Sequence, residues 1–421
     1  MNDAATPAPA SPDPGTAVGS AELDRLRAAA EADLPAFLAD LATLVAIDSG
    51  SYDKAGVDAV GAWAARFFAS IGATVRVERD AHLGDTVVAT FEGRPGGGRL
   101  LLIGHLDTVF PLGTAEARPF AVDAGLAHGP GVSDMKGGLL VGLHVLRLLR
   151  QGAAEGEDAW PFERVVFVAN PDEEIGSPSS TALIREVAAT ADACFVLEGA
   201  RANGDIVSSR KGILDLRIIV HGRAAHAGVE PEKGRNAIIA AAQLALTLTA
   251  LNGRWPGVTL NVGVVAGGTR PNVVPERAQL EIDLRAVSRP DLEAAEAEVR
   301  GLAAATTVPD TQVEIETMSR WWPMEKLPAS ARLVEHATAI AGRLGFGLSD
   351  AATGGASDAN TTSGMGIPTL DGLGPIGGDD HAPSEWMEVS SVAPRMTLLA
   401  ALLLAVGRDP LFLAGAARSR G

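Results

Sequence analysis

The feature that most constrains this fold is a series of short apolar runs that do not alternate with polar residues. RLLLIGH, RVVFVAN and ACFVL are runs of this kind. A strand with one wet face alternates apolar and polar residues, whereas a strand covered on both faces reads as apolar throughout. Segments of helical period such as GGLLVGLHVLRLLRQG and SSTALIREVAATA lie between these runs. The interleaving predicts an α/β domain whose mixed sheet is flanked by helices. Each run is followed at once by an acid or a histidine, in GHLD, NPDEE and LEG. Ligands of open α/β sheets bind past the carboxyl ends of the strands. One edge of this sheet is therefore expected to gather imidazole and carboxylate groups.

From about residue 206 the rhythm changes. GILDLRIIVHG, VTLNVGVVAGG, AQLEIDLRAV and TQVEIETMS read as strands, with GRNAIIAAAQLALTLTAL and DLEAAEAEVRGLAAA as helices between them. That β-α-β-β-α-β order is the ferredoxin-like arrangement. Past about residue 321 the α/β pattern resumes. The expected organisation is a disordered Pro/Ala-rich tail over 1–20, one catalytic domain from 21–205 and 321–421, and an inserted α+β domain over 206–320.

Composition limits the partners. A net charge of −17 argues against nucleic acid and against anionic membrane surfaces. No apolar stretch approaches the roughly 20 residues of a membrane span, and the acidic, Pro-rich start does not resemble a signal peptide. The single cysteine, Cys194 in ACFVL, reads as a core residue and points to a reducing, cytoplasmic setting. With 421 residues and 47% apolar content, the chain has material for two or three cores.

The strand-end residues carry the chemistry. His105 and Asp107 lie two apart, so their side chains share one side of the strand. His105 reads as a metal ligand and Asp107 as the carboxylate that fixes its ring and tautomer. Asp134 precedes MKGG at a helix start, where a carboxylate with two free oxygens can bridge two ions. Glu173 and Glu174 are adjacent in an extended segment and point opposite ways. One suits a metal and the other a general base, and the residues alone do not say which. Glu198 ends the next strand, and His381 lies in the Gly- and Pro-rich loop GPIGGDDHAPSEW. A lone His-Asp pair or acidic pair is more often a solvated surface feature. Recurrence at several strand ends points instead to two metal ions about 3.5–4 Å apart sharing a carboxylate. His82, His144 and His336 have no partner pattern and read as structural or solvated, and His128 as non-functional. On the insert, His226, Asn272 and Arg285 are polar groups at turns or strand ends. An arginine there suits a bidentate pair with a substrate carboxylate.

The ordered set GHLDTVFP, GPGVSDMKGG, DEEIGS, LEGA, RAAHAGVEPEKGRNAI, RPNVVPERAQLEIDLRAV, TGGASDAN and HAPSEW resembles the di-zinc aminoacylase and carboxypeptidase family. Glutamate carboxypeptidases, acetylornithine and succinyl-diaminopimelate deacylases, and tri- and dipeptidases belong to that family. The resemblance covers about residues 25–410 and is nearest the glutamate carboxypeptidase branch. It implies a zinc-peptidase-like catalytic domain with an inserted ferredoxin-like dimerisation (lid) domain. By the same resemblance His105, Asp134, Glu174, Glu198 and His381 hold two Zn2+ per chain, with Asp134 bridging and Co2+ or Mn2+ as possible substitutes. Glu173 would activate the metal-bound water, and Asp107 would orient His105. His226, Asn272, Arg285 and Gly355 match substrate-contacting positions, and His226 would reach the site of a second subunit in a homodimer. A cis Asp134–Met135 peptide is implied as well. The implied reaction is hydrolysis of the amide bond in a small N-acyl amino acid or short peptide. The alternatives are an acetylornithine-type deacylase and an inactive metal-binding homologue.

Overall fold

Strand propensity, burial and register place one line of functional residues. The computed structural model describes residues 13–152, 160–305 and 308–412. The chain divides into two compact units, one made of Met1–Ser208, Lys326–Ala351 and Ser357–Gly421, the other of Ser209–Glu325 and Ala352–Ala356.

The first unit is built on a six-stranded sheet. Its order is Thr74–Glu78, Thr86–Glu92, Phe162–Asn170, Gly98–His105, Ala193–Val196 and Thr369–Leu370. The first two pairings are antiparallel and the other three parallel, so the sheet is mixed. Leu101, Leu102 and Ile103 of the central strand are fully buried, as the unbroken apolar run requires. Its register sets Ile103 beside Val168 and Val196, and His105 beside Asn170. The three strands thus end together, and the segments that follow emerge at one edge. Helix Lys136–Gly152 packs against the central strand. At its start an added Cβ on Gly138 would lie 1.7 Å from the Leu197 carbonyl oxygen. Glycine there lets the helix start that follows Asp134 meet the strand end that carries Glu198.

Two expectations need correction. Residues 1–12 of the expected tail lie outside the described residues, but residues 13–19 are held in the first unit. Val18 is fully buried, Gly15 N–H donates to His336 Nδ1 at 3.3 Å, and Arg343 donates to the Val18 carbonyl at 2.6 Å. The anchors lie more than 300 residues away in sequence, so local composition does not reveal them. The reading that no apolar stretch approaches membrane length also fails. Val389–Arg408 is long and apolar enough by composition, yet 83% of its most apolar window is buried inside the protein. Its helix, Val392–Arg408, packs on Ser20–Val45, Lys136–Gly152, Pro328–Leu344 and the central strand. A helix that is apolar all round is a core helix here. Arg395 within it is buried and donates to the carbonyls of Gly374 at 2.8 Å and Gly204 at 3.1 Å.

The second unit is a four-stranded antiparallel sheet in the order Thr259–Gly267, Arg277–Ala286, Gly212–His221 and Gln312–Trp321. Helices Ala237–Thr249 and Arg289–Ala304 complete the ferredoxin-like order. Leu214, Leu216 and Ile218 alternate inward and pack with Ala241, Leu248, Leu292 and Val299. The unit begins three residues later than expected and takes in a short return, 352–356, that periodicity does not mark.

Candidate metal centre

The first unit collects its strand-end acids and imidazoles into two overlapping groups. His105, Asp134 and Glu198 form one, and Asp134, Glu174 and His381 the other, with the donor atoms of each group within 4.8 Å of one another. Asp134 belongs to both. Its Oδ1 lies 3.0 Å from His105 Nε2 and its Oδ2 lies 3.1 Å from His381 Nε2. His381 Nε2 is also 3.1 Å from Glu174 Oε2, and His105 Nε2 is 3.8 Å from Glu198 Oε1. The Asp134–Met135 peptide is cis.

Asp107, fully buried, fixes both sides of this arrangement. Its main-chain carbonyl lies 3.0 Å and its Oδ1 3.3 Å from His105 Nδ1, which leaves Nε2 facing Asp134. It also accepts from the backbone N–H groups of Glu173 and Glu174, each at 3.2 Å, and from Ser51 Oγ at 2.7 Å. One residue therefore holds the histidine ring and the turn that carries the two glutamates. That turn is held from below as well. Asp172 accepts from the Ser179 hydroxyl at 2.7 Å, and Asp358 accepts from Asn170 Nδ2 and Ser177 Oγ at 2.7 Å.

Sequence reading missed Glu385, in HAPSEW. It is 1% exposed and accepts from the backbone N–H groups of Gly131 at 2.9 Å, Ser133 at 2.8 Å and Asp134 at 3.0 Å. The loop bearing His381 is thereby fastened to the loop bearing Asp134. Burial pushes the Glu385 carboxyl up to about 7 against the pull of those N–H donors. An acid in a loop reads as solvated, and its one signal is its place in the His381 motif. His381 itself sits at φ 65°, in the left-handed region.

The electrostatics are those of a crowded acidic site. Burial raises the Glu173 carboxyl well above the usual range, and the Glu198 carboxylate adds to the rise. Burial raises Glu174 too, with His381 opposing and Asp134 adding. Burial alone would depress the His105 imidazolium, but the Asp107 and Asp134 carboxylates hold it well above the histidine range. Hydrogen bonds to Asp134 and Glu174 push His381 up to about 10. Glu174 Oε1 is buried without a hydrogen-bond partner. A buried, unpartnered carboxylate oxygen is costly unless it has a cation to meet. Imidazole and carboxylate donors of this kind fit zinc, which takes N and O ligands at about 2.0–2.2 Å.

The remaining expected residues lie on the second unit and fall into two pairs. The 225–227 turn bonds to the 272–274 loop, Ala227 N–H to the Asn272 carbonyl at 3.0 Å, which brings His226 near Asn272. Arg285 lies toward the far end of the Arg277–Ala286 strand. It forms a fork with Asp283 at 2.8–3.1 Å and donates to the Gly354 carbonyl at 2.8 Å, next to Gly355. Gly355 accepts from Arg210 at 3.2 Å. Of the three histidines read as structural or solvated, His144 lies between Asp33 and Asp40, His336 is buried beside Asp409, and His82 is exposed.

Residues 101–405 match the family described as Peptidase family M20/M25/M40. The chain is 31% identical over 398 residues to carboxypeptidase G2 of Pseudomonas sp. (strain RS-16), covering 93% of this chain and 94% of that protein. The chain belongs to peptidase family M20/M25/M40. It is a hydrolytic enzyme of this metallopeptidase and amidohydrolase family. It is also 28% identical over 273 residues to acetylornithine deacetylase of Myxococcus xanthus, covering 60% of this chain and 68% of that one. Aminopeptidase PepT of Bacillus cereus ATCC 10987 shares the M20 fold, with a TM-score of 0.73 at 24% identity over 88% of this chain and 98% of its own.

Proposed function

We propose that this M20 enzyme is a two-zinc amidohydrolase that cleaves a small N-acyl amino acid or short peptide and releases an amino acid with a free α-carboxylate. The observation that carries the reading is Asp134, whose two oxygens are divided between the two donor groups. His105 and Glu198 would hold one ion, Glu174 and His381 the other, with Asp134 between them. Bound zinc supplies a Lewis acid at the scissile carbonyl and acidifies the attacking water. Glu173, which stands outside both ligand groups, would take a proton from the attacking water and pass it to the leaving amine. Asp107 keeps the His105 ring in one orientation throughout.

Substrate recognition is assigned to the second unit. Arg285 spends one N–H on each of Nε, Nη1 and Nη2, so one on each terminal nitrogen remains for a carboxylate. His226 Nδ1 accepts from Gly228 N–H at 3.1 Å, which fixes the proton of the neutral ring on Nε2. That Nε2–H suits an oxyanion. About eight residues of strand separate the Asn272 loop from Arg285, which is about 25 Å at the usual rise. One small substrate cannot span both, and a homodimer in which His226 and Asn272 serve the partner's site resolves this. The single buried cysteine, Cys194, fits the reducing cytoplasm.

The test couples metal to turnover. Active protein dialysed free of loose metal should hold about two zinc ions per chain, and a strong chelator should abolish hydrolysis of N-acyl amino acids and dipeptides. Glu173→Gln should keep fold and zinc yet lose about 10²–10⁴-fold in kcat. Less than about one metal per chain in active enzyme, or a near-normal kcat for the glutamine variant, overturns the reading.

A further inference from the structure

Of the five ligand-type residues, His381 is the one the fold protects least. Its side chain is 56% exposed, whereas those of His105, Glu174, Glu198 and Asp134 are 1–18% exposed. Its backbone needs support as well. His381 at φ 65° and Asp379 at φ 56° lie in the left-handed region, which residues with a Cβ hold only where their surroundings enforce it. On the inner side that support comes from the Asp134 loop. Glu385 accepts from the N–H groups of Gly131, Ser133 and Asp134, and Asp380 hydrogen-bonds to Ser133.

The outer side is met by Arg118, which lies 264 residues away from Ala382 in sequence. Its Nη1 donates to the Pro383 carbonyl at 2.9 Å and lies 3.4 Å from the Ala382 carbonyl oxygen. These are the two residues that follow His381. The guanidinium sits over the Phe110 ring, 4.4 Å from its centre, so it is held between an aromatic platform and main-chain acceptors. The platform is built rather than loose. Thr108 N–H donates to the Ser49 carbonyl at 2.8 Å, and Ser51 N–H to the Thr108 carbonyl at 3.2 Å. Asp48 accepts from the N–H groups of Gly113 at 2.7 Å and Ala115 at 2.8 Å, at the start of helix Thr114–Ala117. Arg118 ends that helix, its own N–H on the Thr114 carbonyl at 2.8 Å.

We propose that Arg118 is a latch on the His381 loop. By holding that loop in place it retains one of the two zinc ions, the one assigned to Glu174 and His381, and it does not govern the ion assigned to His105 and Glu198. It is a positioning residue, since it touches the loop backbone and no reacting atom. The proposal rests on the two-zinc reading and adds what keeps the more exposed ion bound. The sign of the effect separates a latch from simple charge. A guanidinium beside a metal site repels the ion, so removing it for its charge alone would slow the loss of zinc. Removing a latch speeds it.

Zinc release into an excess of a chromogenic chelator tests this on wild type, Arg118→Met and Arg118→Lys. Methionine keeps an apolar stem over Phe110 and removes every donor, whereas lysine keeps a donor and the charge without the planar fork. In Arg118→Met one equivalent per chain should leave about 10–100-fold faster, while the other leaves at the wild-type rate. The lysine variant should fall between. Equal acceleration of both equivalents, no acceleration of either, or a slower release overturns the latch. The second readout needs no metal. In metal-free protein, amide hydrogen exchange of residues 379–385 should rise about tenfold in Arg118→Met, with strand Gly98–His105 unchanged. Unchanged exchange at 379–385 overturns the latch whatever the zinc does. Two zinc ions in wild type with no fast phase in Arg118→Met would sink the latch alone. A wild type that never holds two zinc ions would sink the two-zinc reading, and hydrogen exchange then decides whether Arg118 holds the loop.

Discussion

Glu385 joins two loops that lie 251 residues apart in sequence. Its carboxylate occupies a position where three backbone N–H groups converge, and among the described residues it is their acceptor. Removing it leaves buried donors unsatisfied, at about 1–3 kcal/mol each. Glu385→Ala should therefore lower Tm by several degrees and, because Asp134 and His381 lose their common anchor, weaken zinc retention on dialysis. Glu385→Gln keeps one acceptor oxygen but turns an amide NH2 toward N–H donors, so it should fall between. An alanine variant that keeps its zinc as wild type does would reduce Glu385 to a stabilising residue without a hold on the ligands. The five ligand-type residues were legible because each follows an apolar strand or stands in a motif. Glu385 was not, because what distinguishes it is the company of backbone groups from a distant loop. Ser51, Asp172 and Asp358 escaped notice for the same reason.

At the scale of elements, the strands and helices of both units follow from apolar periodicity, and so does the collection of acids at one sheet edge. The segment 13–19 does not, since its partners are set by helix packing. Helix Pro328–Leu344 presents His336 between Gly15 and Asp409. The ring accepts from Gly15 N–H at Nδ1 and so donates from Nε2 to Asp409, 2.9 Å away. Burial lowers the affinity of His336 for a proton, against the opposing pull of Asp409. A histidine whose folded pKa lies below the unfolded value near 6.5 contributes stability above that value and loses it as pH falls below. The Tm advantage of wild type over His336→Gln should thus be largest near pH 8 and shrink toward pH 5. Scanning calorimetry across that range checks the sign, and a gap that widens in acid would contradict the assigned tautomer.

For the whole molecule, assembly is the open arrangement that the second unit speaks to most. Its strand Thr259–Gly267 is a sheet edge, and Val264 and Val265 on it are 40% and 54% exposed. Helix Ala237–Thr249 leaves Leu246 76% exposed and Ile239 48% exposed. An unpaired edge beside an uncovered apolar helix is a ready interface for a second copy. Under the dimer proposal, mixing inactive Glu173→Gln chains with inactive His226→Ala chains should restore activity, because each mixed dimer holds one site with both groups intact. Subunit exchange without recovery would confine His226 to its own chain. The buried helix Val392–Arg408 has a different consequence, in the order of manufacture. The ribosome completes residues 209–325 well before it delivers this helix, so the inserted unit can fold while the first unit still lacks the centre of its core. Until then the apolar strands that end in the metal-type residues have no full cover. By that order of synthesis, the unit that carries the metal-type residues can complete its core only after the inserted unit has been made.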